Sequence, residues 1–169
     1  MFDLSDSVAF FNKMVEDFDD LSDHPDSSRH AINCAITGFH LAEWIWGDWL
    51  QNDYETWREL GIRDKSSFLQ WVHDKQPWFV VVQDITNGSK HYARNIRPTK
   101  TSDSYADDYA EGYTQQILEV EATVNGHKRW IEAVFIIEDV MMFWHRFLKK
   151  YRPGAELKYP KFRFTEDPA

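Results

Sequence analysis

Four polar residues between positions 84 and 94 have side-chain types and a spacing that suit a catalytic site along one side of a helix. Asp84, Asn87, His91 and Arg94 are three, four and three positions apart, so on a helix they share one side. His91 can act as a general acid or base oriented by Asp84 or Asn87, and Lys90 or Arg94 can stabilise negative charge. These residue types suit cleavage of RNA without a metal. We therefore predict a catalytic set of His91, Lys90, Asn87 and Asp84.

A second polar line lies in a long helical pattern earlier in the chain. Asn33, Thr37, His40 and Glu43 recur about once per helical turn, and the last two are close enough on a helix to touch. Two helices that carry such lines can face one another and enclose a polar site. We predict that Asn33, His40 and Glu43 bind a ligand there, together with Arg94 of the first line.

Two other interpretations of these residues stay open. His40, Glu43, Asp84 and His91 offer ligands for a divalent metal between two helices. No H-E-x-x-H, E-x-x-H or cysteine-pair motif accompanies them, and the first choice is a site without metal or other cofactor. Alternatively, the polar lines are structural. The protein would then be a non-enzymatic interaction or accessory protein that uses its acidic N-terminal helix or a hairpin edge to bind a protein partner.

The charge of the chain is strongly negative and unevenly distributed. The net charge is −9, which disfavours contact with nucleic-acid phosphates and anionic membranes. Residues 1–26 carry eight acids against Lys13, whereas the last quarter of the chain is rich in Lys and Arg. These two ends can pair with each other, or the basic strip can contact phosphate. The single Cys34 excludes an intramolecular disulfide and fits a reducing compartment, so we expect a cytoplasmic protein without membrane association.

Apolar residues at helical spacing predict a mainly α protein, a bundle of about five helices in one domain of residues 1–169. The longest helix is expected over about 29–50, and a later one begins near Pro77, where helix is favoured over strand. The final helix is predicted over about 138–151. Residues 96–115 are polar and are predicted to form a mobile loop, and residues 153–169 an extended C-terminal tail.

One β-hairpin is predicted to be inserted in this bundle at about 116–135. Apolar and polar residues alternate on both sides of Asn125-Gly126, which is a two-residue turn signature. Pairing outward from the turn places Val120 opposite Ile131 and Leu118 opposite Ala133. The same register places Glu119 opposite Glu132, where two like charges are mildly unfavourable.

The run from Arg29 to Trp44, with Asp84-Ile-Thr-Asn-Gly-Ser-Lys-His91 downstream, resembles a group of uncharacterised bacterial helical proteins. Their pattern is similar to the HEPN superfamily of small helical bundles, many of which are metal-independent ribonucleases or nucleotide-binding modules of toxin–antitoxin and phage-defence systems. The resemblance implies an RNA- or nucleotide-acting protein and a homodimer. The nuclease members are characterised by an Arg and a His with four to six residues between them. The sequence departs from this pattern because no Arg is followed by a His at that distance.

Overall fold

The computed structural model describes residues 4–88, 96–99, 117–124 and 126–164. Six α-helices and three β-strands lie in these ranges, which confirms a mainly α fold with an inserted hairpin. In chain order the elements are α1 (Ser7–Asp23), α2 (Ser28–Asp48), α3 (Tyr54–Leu60), α4 (Lys65–Lys75), α5 (Phe79–Gly88), β1 (Ile96–Thr99), β2 (Ile117–Val124), β3 (His127–Glu132) and α6 (Ala133–Tyr151).

Short polar side chains fix the beginnings of the helices. Asp6 accepts a hydrogen bond from the backbone N–H of Ala9 at 2.8 Å, which caps α1. A second carboxylate, that of Asp48 at the end of α2, accepts from both the backbone N–H and the hydroxyl of Ser7 at 3.1 and 2.7 Å. The start of α4 was expected at Ser66 or Ser67. Asp64 caps it instead, in a capping box that includes Ser67.

The core is built around α2, which packs against α1, α5 and α6. Helix α2 passes so close to α1 that a Cβ atom on Gly38 would lie 2.7 Å from Cε of Met14. The carbonyl of the same glycine accepts a hydrogen bond from Nε1 of the fully buried Trp144 at 3.0 Å. The predicted helix after Pro77 is confirmed as α5, since its buried residues recur at helical spacing rather than alternating: Phe79, Val82 and Thr86, with Val81 and Ile85.

Strands β1, β2 and β3 form one antiparallel sheet in that order. The predicted pairs Val120–Ile131 and Glu119–Glu132 are confirmed. The predicted pair of Leu118 with Ala133 is wrong because α6 already begins at Ala133, earlier than expected. The apolar residues from position 133 onward have helical spacing and are buried in the core, which favours helix over a longer strand.

Strand β1 was not predicted. Residues 96–99 belong to the segment that was expected to be a mobile loop, but they pair with β2 from Ile96–Val120 to Thr99–Ile117. Pro98 has no backbone N–H, so it fits a strand with only one partner in the described sheet. Residues 100–115 of the predicted loop, and residues 165–169 of the predicted tail, lie outside the described residues.

None of the helices in the described ranges combines the length and the apolar character needed to cross a membrane.

The Glu119–Glu132 pair gives a prediction for stability. Partial burial, and secondly the charge of Glu119, raise the pKa of Glu132 above its ordinary value of 4.5. The folded state therefore binds this proton more tightly than the unfolded state does. The stabilisation is fully present below the unfolded pKa and is lost as pH rises through the folded pKa. We expect Glu132→Gln to raise the free energy of unfolding at pH 7 by about 0.5 kcal/mol.

Urea denaturation at pH 7 and at pH 4 measures this effect. The gain from Glu132→Gln should shrink at the lower pH, where the wild-type side chain is largely protonated. Glu121→Gln is the matched control, because Glu121 accepts a hydrogen bond from Lys128 at 3.1 Å and should gain nothing. A loss of stability in Glu132→Gln at pH 7 would contradict the prediction.

Candidate functional site

The first predicted polar line lies partly on α5. Asp84 and Asn87 are exposed there about one turn apart, while the apolar side of the helix packs against α2. Lys90, His91 and Arg94 lie outside the described residues. Their catalytic and ligand-binding roles therefore stay predictions, and the structure contributes only the accessible position of the first two residues.

The second polar line, on α2, contacts α1 rather than α5. Asn33 is exposed. The hydroxyl of the buried Thr37 accepts a hydrogen bond from Nζ of Lys13 and donates to Oδ2 of Asp17, both at 3.0 Å. Lys13 and Asp17 also form an ion pair within α1. This part of the polar line therefore joins α1 and α2, and the Thr37 hydroxyl is occupied by these contacts.

Farther along α2, the structure brings His40 and Glu43 together as predicted. Nδ1 of His40 lies 3.1 Å from Oε2 of Glu43, and Nζ of Lys65 on α4 donates to Oε1 at 2.8 Å. The lysine, and then the histidine, hold the pKa of Glu43 below its usual range. All three side chains are between 35% and 46% exposed, so this is a surface ion-pair cluster between α2 and α4.

In the described part of the chain, the side chains of the two polar lines are not joined by hydrogen bonds, and the enclosed site stays a prediction. No hydrogen bond there joins Asp84 or Asn87 of α5 to His40 or Glu43 of α2. Within the same ranges no group of three His, Cys, Asp or Glu residues is placed to hold a metal ion. Of the alternative metal set, only His40 and Glu43 are in contact, and His91 is outside the described ranges.

A different site lies between α1 and α6, where residues 155–164, here called the tail segment, pack in a groove. Asn12, Glu16 and Asp19 line it from α1 at i, i+4 and i+7 spacing, so they share one helix side. Asn12 Nδ2 donates to the carbonyl of Glu156 at 3.0 Å, and its Oδ1 accepts from the backbone N–H of Lys158 at 2.8 Å. The side-chain amide of Asn12 therefore hydrogen-bonds the backbone of the tail segment on both sides of Leu157.

Farther along the groove, Oδ1 of Asp19 accepts from the backbone N–H of Lys161 at 2.8 Å. Glu16 forms an ion pair with Lys158. Of the two interpretations of the uneven charge, this ion pair supports contact between the acidic N-terminal region and the basic C-terminal region.

Glu138 on α6 forms the most enclosed part of the groove. Its side chain is fully buried, and its two oxygens accept from Nε of Arg163 at 3.0 Å and from the backbone N–H of Phe164 at 2.9 Å. The ring of Phe164 meets the edges of Phe18 and Phe135 at centroid distances of 6.3 and 6.0 Å. The carboxylate thus binds one side chain and one backbone group of the tail segment, and two aromatic rings hold the next residue.

The tail segment meets the groove every third residue. The backbone N–H groups of residues 158, 161 and 164 all bind groove side chains. The side chains of Leu157, Pro160 and Arg163 are the more buried ones from 157 onward, while Tyr159 and Phe162 are 49% and 61% exposed. A period of three is that of a polyproline II segment, in which every third residue lies on the same side.

The distances along α1 agree with an extended segment. Asn12 and Asp19 are seven residues apart, which is about 10 Å along a helix. The residues that they bind, Lys158 and Lys161, are three apart, and three residues span about 10 Å when nearly extended. These distances are consistent with an extended segment between residues 158 and 161, and the extended tail over 153–169 stays a prediction.

Sequence reasoning missed Glu138 as a functional residue. The glutamate follows the buried Val134 by four positions and precedes the buried Met141 by three, so it occupies the apolar side of α6. An ionisable residue on an apolar helix side must find a partner when buried. That position was the available signal, but nothing local identifies Arg163 as the partner.

Comparisons with known proteins add no assignment: no family model matches this sequence, and no similar curated protein or solved structure was found.

Proposed function

We propose that this protein is a non-enzymatic interaction protein whose α1–α6 groove binds extended basic segments. Its own tail segment occupies the groove in the present structure and serves as the example of a ligand. The observation that carries the proposal is the fully buried carboxylate of Glu138, whose two oxygens each accept a hydrogen bond from the tail segment.

Stability alone is a weak reason for such a carboxylate. Apolar residues of similar volume often stabilise a protein as well as, or better than, a buried ion pair does. A buried carboxylate does, however, discriminate strongly between ligands, because an unpaired charge in the groove is costly. We therefore interpret Glu138 as a specificity residue of a binding site.

The contacts define the class of ligand. Backbone recognition every third residue favours a polyproline II-like segment, which loses little conformational entropy on binding. The inward side chains of the tail segment give the pattern Leu157-x-x-Pro160-x-x-Arg163, followed by an aromatic residue. A guanidinium suits the Glu138 carboxylate because its Nε–H lies in the planar fork that carboxylates accept. Lysine at this position should bind less well.

A labelled peptide of residues 155–164 tests the proposal. The full-length Arg163→Ala, Phe164→Ala variant keeps the groove side chains, but its own tail lacks the guanidinium that reaches Glu138 and the ring that packs against Phe18 and Phe135. Fluorescence anisotropy should show saturable binding to this variant at least about tenfold tighter than to the wild type, whose tail competes at high effective concentration.

The control peptide has the same residues in an order that breaks the three-residue period. Equal binding of both peptides would show that charge alone attracts them. Absence of saturable binding of the first peptide to the variant would reject the groove as a binding site.

A second candidate function is an RNA- or nucleotide-acting enzyme of HEPN-like type that uses His91. One observation favours it: α5 presents Asp84 and Asn87 to solvent about one turn apart, as a line that contacts a substrate requires. The test is a ribonuclease assay on purified protein, in which His91→Ala should abolish cleavage. His73→Ala, which changes a histidine of α4, is the matched control. Cleavage that survives His91→Ala would refute this function.

A further inference from the structure

We infer that the partner of the α1–α6 groove is the tail segment of a second copy of this chain, so that two copies exchange tails reciprocally. This inference rests on the proposed function and names its partner. In the exchanged dimer each groove keeps the contacts seen here, but the segment that fills it comes from the neighbouring molecule.

The connection between α6 and the tail segment permits such an exchange. It is a short turn in which the backbone N–H of Ala155 donates to the carbonyl of Arg152 at 3.0 Å, and Gly154 has a φ of +93°. The contacts that hold the tail segment in the groove all lie beyond this turn. Opening the turn would carry the segment away from its own groove without altering the helices, which is the geometry that domain exchange requires.

A second copy carries the same tail segment that the groove holds here, and the charges of that segment complement those of the groove. Two copies that each carry a net charge of −9 repel one another as whole molecules. Tail exchange places the basic segment of one copy, with Lys158 and Arg163, on the acidic side chains of the other, Glu16 and Glu138. The contact therefore puts opposite charges where the exchanged tail segment meets its new groove.

The intramolecular arrangement competes with the exchanged one. A tail joined to its own groove by a short turn has a high effective concentration, so exchange in the wild type should increase with protein concentration. A pair of variants removes this competition. The donor, Asn12→Ala with Asp19→Ala, keeps its tail but loses the three backbone contacts that these two side chains make in its groove. The acceptor, Arg163→Ala with Phe164→Ala, keeps its groove but has a defective tail.

Size-exclusion chromatography with light scattering is the measurement. Each variant alone should have the mass of one chain, 20.1 kDa, and the equimolar mixture should gain a species of twice that mass. Adding Arg163→Ala to the donor should abolish this species. Circular dichroism confirms that each variant is folded. If a double variant unfolds, Glu138→Gln replaces the donor and Phe164→Ala alone replaces the acceptor.

The outcomes separate this inference from the proposed function. A mixture that stays monomeric, while the labelled tail peptide binds the acceptor, overturns tail exchange and leaves peptide binding intact. A mixture that stays monomeric with an acceptor that also fails to bind the peptide overturns both. A heterodimer that persists after Arg163→Ala in the donor locates the contact elsewhere and also overturns the inference.

Discussion

The Arg163→Ala variant should lose about 3 kcal/mol of unfolding free energy. The change leaves the Glu138 carboxylate buried without its guanidinium partner, and breaking a buried ion pair in this way typically costs about 3–5 kcal/mol. We expect the lower end of that range because release of the tail segment lets water reach the carboxylate. Urea denaturation followed by tryptophan fluorescence gives the measurement.

Lys161→Ala is the matched control for this variant. Lys161 lies in the same tail segment and its side chain is exposed, while its backbone N–H binds Asp19. Its replacement should change stability by less than about 0.5 kcal/mol. In a Glu138→Gln background, Arg163→Ala should cost much less than in the wild type. Equal costs in both backgrounds would mean that Arg163 acts through other contacts.

Trp144→Ala should have the largest effect on the core, about 4 kcal/mol. Trp144 is fully buried in α6, packs edge-on against Phe79 at a centroid distance of 6.0 Å, and donates its indole N–H to the carbonyl of Gly38. Removal of the ring leaves a cavity where α2, α5 and α6 meet, and that region cannot collapse without moving three helices.

Two further variants separate the contributions of Trp144. Trp144→Phe keeps much of the volume but loses the hydrogen bond, so it should cost about 1–2 kcal/mol. Trp130→Ala makes the same chemical change on β3, where the side chain is 37% exposed, and should cost less than about 1 kcal/mol. A Trp144→Ala protein as stable as Trp130→Ala would contradict the assigned role of the core tryptophan.

Local patterns in the sequence predict local structure well in this protein. The alternation around Asn125-Gly126 predicts both the hairpin and the Val120–Ile131 register, because turn type and side-chain alternation fix which residues pair. Helical spacing predicts α2 closely, because the periodic apolar residues that identify a helix are also local to the segment. Strand β1 was missed because its partner is β2, about twenty residues away along the chain, and a four-residue segment that contains Pro98 has no strand signal of its own.

The candidate sites show the limit of such patterns. Periodicity identifies Thr37, His40 and Glu43 as sharing roughly one side of α2, but it does not reveal which neighbour that side contacts. In the structure the first residue binds α1, whereas Glu43 binds Lys65 on α4 and also pairs with His40. The groove that holds the tail segment joins residues more than 140 positions apart, and only the opposite charges of the two chain ends indicated it.

The direction of the tail segment in its groove determines how the protein responds to force. A pull on the C-terminal end reaches the contacts of Arg163 and Phe164 with Glu138 first, then the contact at Lys161, and finally the contacts on either side of Leu157. When the pull is directed away from the groove, the bonds therefore carry load one after another, as in peeling, rather than all at once, as in shear. A force applied in this way to the C-terminal end would detach the tail segment from the groove at low force, while the helical core stays folded.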